Sequence, residues 1–131
     1  MMEVVNFNEI FKIHEAVCET LPKDAQILDV GAGTGKLGRY LADSGYKTID
    51  GIDACQTFLQ ALQATGAYRS HAHVYLGEGA YPTDEARNRY DCAVASGVFL
   101  EKHVPASGIP EVSQAIKSGG LFITAMRMIY W

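Results

Sequence analysis

Three glycines at alternate positions, Gly31, Gly33 and Gly35, close the stretch Ile27-Leu28-Asp29-Val30-Gly31-Ala32-Gly33-Thr34-Gly35. A backbone that lacks Cβ atoms at every second residue can take positive φ and lie directly against a ligand, instead of holding it at side-chain distance. The apolar residues before the glycines read as a buried strand, and the glycines as a tight loop that opens a helix. A second acid, Asp53, ends the next apolar segment, twenty residues beyond Gly33. The chemistry on offer is close backbone contact with a ligand, next to carboxylates that can only accept hydrogen bonds.

Two phosphate-binding patterns compete for this loop. A P-loop is excluded by spacing, because Leu37 follows Gly35-Lys36 where Ser or Thr belongs, and Val30 stands where the leading glycine belongs. The segment Gly33-Thr34-Gly35-Lys36-Leu37-Gly38 does spell the Gly-x-Gly-x-x-Gly of dinucleotide sites, with Asp53 at the distance of the ribose-binding acid. That assignment to NAD leaves Asp29 and Gly31 without a role and requires a second nucleotide-binding half.

The elements that must position these residues fit one domain, residues 1–131, with 48% apolar and 20% charged residues. A net charge of -4 with scattered Lys and Arg leaves no basic footprint, so direct nucleic-acid binding is not expected. Cys18, Cys55 and Cys92 are odd in number and far apart, which predicts free thiols in a reducing compartment, the cytoplasm, and no zinc site. Met1-Met2-Glu3 lacks a basic leader, and the apolar run Leu121 to Trp131 is short and carries Arg127, so neither a signal peptide nor a membrane span is expected.

Apolar spacing predicts a first helix from Asn8 to Leu21, with Asn6 and Glu9 as a capping box, and a first strand from Gln26 to Val30. A helix from Lys36 to Asp43, a strand from Lys47 to Ile52 and a helix from Thr57 to Ala64 follow. His73 to Leu76 reads as a short third strand, Gly77-Glu78-Gly79-Ala80-Tyr81-Pro82 as a loop, and Asp91 to Ser96 as a fourth strand buried on both faces. Pro110 to Lys117 reads as a helix stopped by Gly119-Gly120, and Leu121 to Met126 as the fifth strand. This alternation predicts an open α/β sheet in the order 3-2-1-4-5, mostly parallel, with helices on both faces. The glycine loop, Asp53 and Ser96-Gly97 then converge outside the carboxyl ends of the strands, where such sheets bind ligands.

Asp29-Val30-Gly31-Ala32-Gly33-Thr34-Gly35 resembles motif I of the class I S-adenosylmethionine-dependent methyltransferases, and Asp53 falls where that family places its ribose-binding acid. The resemblance runs from about Ala25 to Arg127: Tyr90-Asp91-Cys92-Ala93-Val94 looks like the fourth-strand motif. Lys117-Ser118-Gly119-Gly120-Leu121-Phe122 looks like the turn into the fifth strand, with Ser118 in place of the usual proline. It implies a Rossmann-like fold and S-adenosyl-L-methionine as cofactor. It also implies that Asp53 accepts from both ribose hydroxyls and that Asp29 orients the cofactor's amino group directly or through water. The methionine portion would lie on the backbone of Gly31, Ala32, Gly33 and Gly35, adenine between Ala54-Cys55 and Gly77-Glu78, and the methionine end would face Ser96-Gly97. The acceptor would be a small molecule or a protein. Methyl transfer works largely by aligning nucleophile and methyl, so no residue is assigned as catalytic base. A binding-only protein that keeps the crevice for regulation is the alternative from another class.

Blander roles compete at several positions. Asp53 could simply cap the helix after the second strand. Glu101 and His103 read as solvated loop residues, His71 and His73 as residues of an edge strand, and Cys55 and Cys92 as packing residues. The family fold usually has seven strands and an N-terminal closing segment, so the chain is expected to be C-terminally incomplete. The fifth strand is then an apolar edge open to self-association.

Overall fold

The computed structural model describes residues 7–96 and 108–125. Helix α1 (Phe7–Thr20) precedes β1 (Gln26–Val30), α2 (Lys36–Asp43), β2 (Thr48–Asp53) and α3 (Gln56–Ala64). Then come β3 (Ser70–His73), β4 (Tyr90–Ser96), α4 (Gly108–Ala115) and β5 (Ile116–Ala125). The strands form one sheet in the order β3-β2-β1-β4-β5, and every neighbouring pair is parallel. The carboxyl ends of all five strands therefore lie along one edge, as the alternation of elements requires.

Strand alternation divides the core into two layers. Ile27, Ile49, Cys92 and Val94 face α1 and α2 through Ile13, Val17, Leu37 and Leu41, while Leu28, Val30, Ile52, Ala93 and Ala95 face α4 through Val112 and Ala115. No helix joins β3 to β4. Val74, Leu76, Tyr81 and Ala86 from that long connection pack against the α4 layer instead, doing the work of a crossover helix.

Two polar residues pin the layers. The buried Asp50 accepts two hydrogen bonds from the Arg69 guanidinium, at 3.0 and 2.6 Å, and one from the Tyr90 hydroxyl at 2.6 Å. Burial alone would push its pKa up, but these donors outweigh burial and hold the carboxyl below its usual range. The Tyr46 hydroxyl lies 3.0 Å from the carbonyl oxygen of Val17, which also accepts from the Leu21 N–H at 2.9 Å, and 2.7 Å from that of Leu21, and so ties the end of α1 to the sheet.

Three expected segments are corrected. The third strand is Ser70–His73, not His73 to Leu76, because the register pairs Asp50 with Ser70 and Asp53 with His73. Its residues are all exposed, so backbone pairing at an edge selects it, whereas the more apolar Val74 and Leu76 are used in the core. Helix α4 spans Gly108–Ala115 and ends short of Lys117. Gly119-Gly120 does not stop that helix: it lies inside β5, where the register jumps from Tyr90↔Ile116 to Cys92↔Leu121. Gly119 has φ +83, and a Cβ on Gly120 would come within 2.4 Å of Ile116 and 2.8 Å of the Asp91 carbonyl, so this bulge needs bare backbone. The expected capping box and Met126 fall outside the described residues.

Among the described residues no helix is long and apolar enough to cross a membrane. Cys18, Cys55 and Cys92 are free thiols, and burial pushes that of Cys92 up to about 12, which suits a packing residue. Replacing Tyr46 by Phe removes the single hydroxyl proton shared between the carbonyls of Val17 and Leu21 at nearly constant shape, while the Val17 carbonyl keeps the Leu21 N–H. Urea unfolding of Tyr46→Phe is expected to show a loss of about 1–2 kcal/mol.

Candidate functional site

Asp53 ends β2 beside the glycine loop that ends β1, because the two strands are adjacent and parallel. Its carboxylate joins the loops. Oδ2 accepts from the Gly33 N–H and Oδ1 from the Cys55 N–H, both at 2.8 Å. The Ala32 N–H donates to the Ile52 carbonyl at 3.0 Å and continues the ladder past the end of β1. Helix α3 begins after Cys55 with no side-chain cap, so Asp53 stabilises the turn before the helix and the neighbouring loop together. Each carboxylate oxygen that accepts one backbone N–H keeps a lone pair for another donor.

The glycines divide into two groups. Gly31, Gly33 and Gly35 have φ of 63, 60 and 92°, all in the left-handed region. A Cβ on Gly33 would meet nothing within 4 Å, so open space lies in front of its backbone, as a ligand cradle requires. Gly35 differs: a Cβ there would lie 3.1 Å from the Tyr68 ring and 3.4 Å from Leu62 and Thr65. At Gly38 it would overlap Tyr68 at 2.2 Å, and at Gly51 it would press on the same ring at 3.1 Å. The last glycine of the dinucleotide-like pattern is thus spent on admitting a tyrosine.

Tyr68, which sequence reasoning missed, reaches beneath the loop. Its hydroxyl donates to Asp29 Oδ2 at 2.5 Å and accepts from the Gly38 N–H at 3.1 Å, in the first turn of α2. Asp29 is only 2% exposed. Burial pushes its pKa up to about 7; the Tyr68 hydrogen bond opposes the rise, and the nearby charge of Asp53 adds to it. Tyr68 in turn is pushed far up by burial and by Asp29, so it remains a donor.

The third wall follows β3. Gly77 and Gly79, with φ of 91 and 84°, flank the exposed Glu78. Both loop amides donate to one side chain of α4: Gly77 N–H to Glu111 Oε1 at 2.8 Å and Gly79 N–H to Oε2 at 2.9 Å. Ala54 is exposed next to Asp53, and its carbonyl lies 2.8 Å from His73 Nε2. His71 and His73 stand on the exposed edge strand. Ser96 ends β4, paired with Ala125; Gly97, Glu101 and His103 lie outside the described residues. The strand ends thus bring Asp29, Gly31, Ala32, Gly33, Asp53, Ala54, Cys55 and the Gly77-Glu78 loop to one edge of the sheet. Tyr68 and Glu111 gave no local signal, since each acts on residues thirty or more positions away.

The fold is that of the methyltransferases. Residues 28–122 match the family model described as a methyltransferase domain, and the chain belongs to that family. It is 32% identical over 106 residues to human methyltransferase-like protein 27, covering 81% of this chain and 42% of that protein. The order Tyr90-Asp91, Val104-Pro105, Ile109-Pro110-Glu111 and Gly119-Gly120-Leu121 looks like the same relative. The chain is also 28% identical over 122 residues to a ubiquinone biosynthesis O-methyltransferase of Methylobacterium nodulans, covering 86% of this chain and 49% of that one. It thus spans less than half the length of these curated relatives. Among solved structures, a methyltransferase from Thiobacillus denitrificans in complex with S-adenosyl-L-homocysteine superposes with a TM-score of 0.67 at 21% identity. That match covers 93% of this chain and 49% of the other. It is a likeness of fold.

The buried Asp29 makes stability depend on pH. Its pKa is raised in the folded chain above the value of about 3.9 expected when unfolded, so its contribution is fully present below that value and is lost as pH rises through about 7. Thermal midpoints measured from pH 5 to 8 are expected to fall relative to those of Asp29→Asn, which cannot ionise. Tyr68→Phe, which removes the opposing hydrogen bond, should steepen the fall. Parallel curves for parent and Asp29→Asn would contradict the assignment.

Proposed function

We propose that the crevice at the carboxyl ends of β1, β2 and β3 binds S-adenosyl-L-methionine, and that the domain serves methyl transfer to a small-molecule or protein acceptor. The observation that carries this is Asp53, a carboxylate held by one amide on each side of the crevice with acceptor capacity left on both oxygens. That arrangement suits a ribose diol. Open space before Gly33 suits the methionine portion, with Gly31, Ala32, Gly35 and Ser96 around it. Ala54, Cys55, Gly77 and Glu78 flank the adenine.

Charge separates this cofactor from NAD. Burial is the main cause of the raised pKa of Asp29 and the charge of Asp53 adds to it, so Asp53 and the acid beneath the loop repel each other whenever both are ionised. A ligand with an ammonium and a sulfonium relieves that repulsion, whereas a pyrophosphate adds to it. Asp29 is nearly closed to solvent, which favours its acting on the amino group through the loop or a water. The cofactor supplies an activated methyl; the residues of this chain bind, orient and exclude water. Family membership and the names of the relatives agree with this assignment.

Calorimetry with S-adenosylhomocysteine and, separately, NADH tests the proposal. Binding of the former alone is expected, and Asp53→Ala should weaken it by about 1.5–3 kcal/mol, the range for hydrogen bonds to a charged group. Binding of NADH alone would overturn it. Cofactor affinity without turnover on any acceptor pool would make the domain a binding module instead.

A further inference from the structure

Tyr68 lies in the connection between α3 and β3, and its ring packs against Gly51, the residue of β2 paired with Asp29 in the sheet. The ring continues beneath Gly35 and ends with its hydroxyl between the Asp29 carboxylate, at 2.5 Å, and the Gly38 N–H, at 3.1 Å. A Cβ at Gly35, Gly38 or Gly51 would meet this ring at 3.1 Å or less, so a loop, a helix and a strand each give up a side chain along one path. Glycine inside a helix or a strand is destabilising, so the path carries a cost.

Packing alone does not explain the arrangement. Where a polar pair only fills a core, replacing both partners by apolar side chains of the same shape is nearly neutral or stabilising. Asp29 and Tyr68 instead keep a carboxylate, 2% exposed, on one hydroxyl at the point where β1 runs into the glycine loop. That hydroxyl holds two elements in register. Through Asp29 it grips the end of β1 and through Gly38 the first turn of α2, which bracket residues 31–35 on both sides.

We propose that Tyr68 is a positioning residue for the amino-acid end of the cofactor: by tying Asp29 to the start of α2 it sets the shape of the glycine loop on which that end rests. A small misplacement of a positioning surface is costly in binding and in reaction geometry, which gives a buried hydroxyl leverage on a ligand it reaches only through others. Among the described residues the hydroxyl bonds Asp29 and Gly38 and none of residues 53–55, so its loss bears on the amino-acid end and spares the ribose. This rests on the crevice being an S-adenosylmethionine site, as proposed above.

The test compares S-adenosylhomocysteine with methylthioadenosine, which keeps the adenine, ribose and sulfur but lacks the amino-acid end, on the parent and on Tyr68→Phe. Affinities are read by calorimetry where binding is tight and by NMR titration where it is weak, and thermal unfolding checks that the variant is folded. The parent should prefer S-adenosylhomocysteine. Tyr68→Phe should lose about 10-fold in affinity for that compound, the size expected when a hydrogen bond to a charged group is removed, and little for methylthioadenosine. A tyrosine that merely supports the fold would cost both compounds alike. A folded Tyr68→Phe that keeps the parent's ratio of affinities would therefore overturn the proposal even though the parent binds S-adenosylhomocysteine, as would a parent that holds both compounds equally. Failure of the parent to bind either compound would instead remove the cofactor site, and this proposal with it. Should Tyr68→Phe not fold, the parent alone decides. The ring carbon that bears the Tyr68 hydroxyl, followed by carbon NMR, should shift on addition of S-adenosylhomocysteine and not of methylthioadenosine, and a response to neither, or the same response to both, would refute the assignment.

Discussion

The hydrogen bond from Gly33 to Asp53 is the contact on which the rest of the site depends. It forms because β1 and β2 are neighbours in a parallel sheet and end at the same level, with Val30 opposite Ile52. The ladder extends one step further through Ala32 and Ile52, and the next amide turns onto the Asp53 side chain. Positive φ at Gly31, Gly33 and Gly35 permits that turn. Without the acid the loop would keep its flexible glycines but lose its anchor to the second strand, and the open space before Gly33 would have no fixed wall.

Beneath the loop the protein accepts an energetic cost. A carboxylate at Asp29 is buried and crowded by a second acid, and its one side-chain donor among the described residues is a tyrosine from the connection between α3 and β3. Glycines at 35, 38 and 51 clear a channel for that tyrosine. The same tyrosine takes the Gly38 amide, one of the donors left over at the start of α2. Loop, helix start and acid are therefore locked by one hydroxyl, and the pKa of the acid stands near neutrality.

Much of this was legible in the sequence, for reasons that differ by residue. β1 and α2 were bounded correctly because a buried strand running into glycines is a local signal, and the strand order followed from the alternation of elements. β3 was misplaced because an exposed edge strand carries no hydropathy pattern; only pairing with β2 defines it. Gly119-Gly120 read as a helix stop because a bulge and a helix end ask for the same residue. Asp53 was legible by its spacing from Gly33. Tyr68 and Glu111 were not, because their partners are distant in sequence and become neighbours only once the sheet is assembled. Gly35 and Gly38 were visible as glycines, but what they make room for was not.

The central claim is that a preformed crevice spans three strand ends and is gripped by Asp53. Amide chemical-shift mapping during titration with S-adenosylhomocysteine tests it most directly. The account predicts shifts concentrated at residues 31–35, 53–55 and 77–79, with little change around Asp91 and Lys117 at the opposite end of the strands. Shifts that cluster instead around that opposite end, near Leu21, Gln26 and Lys117, would contradict it.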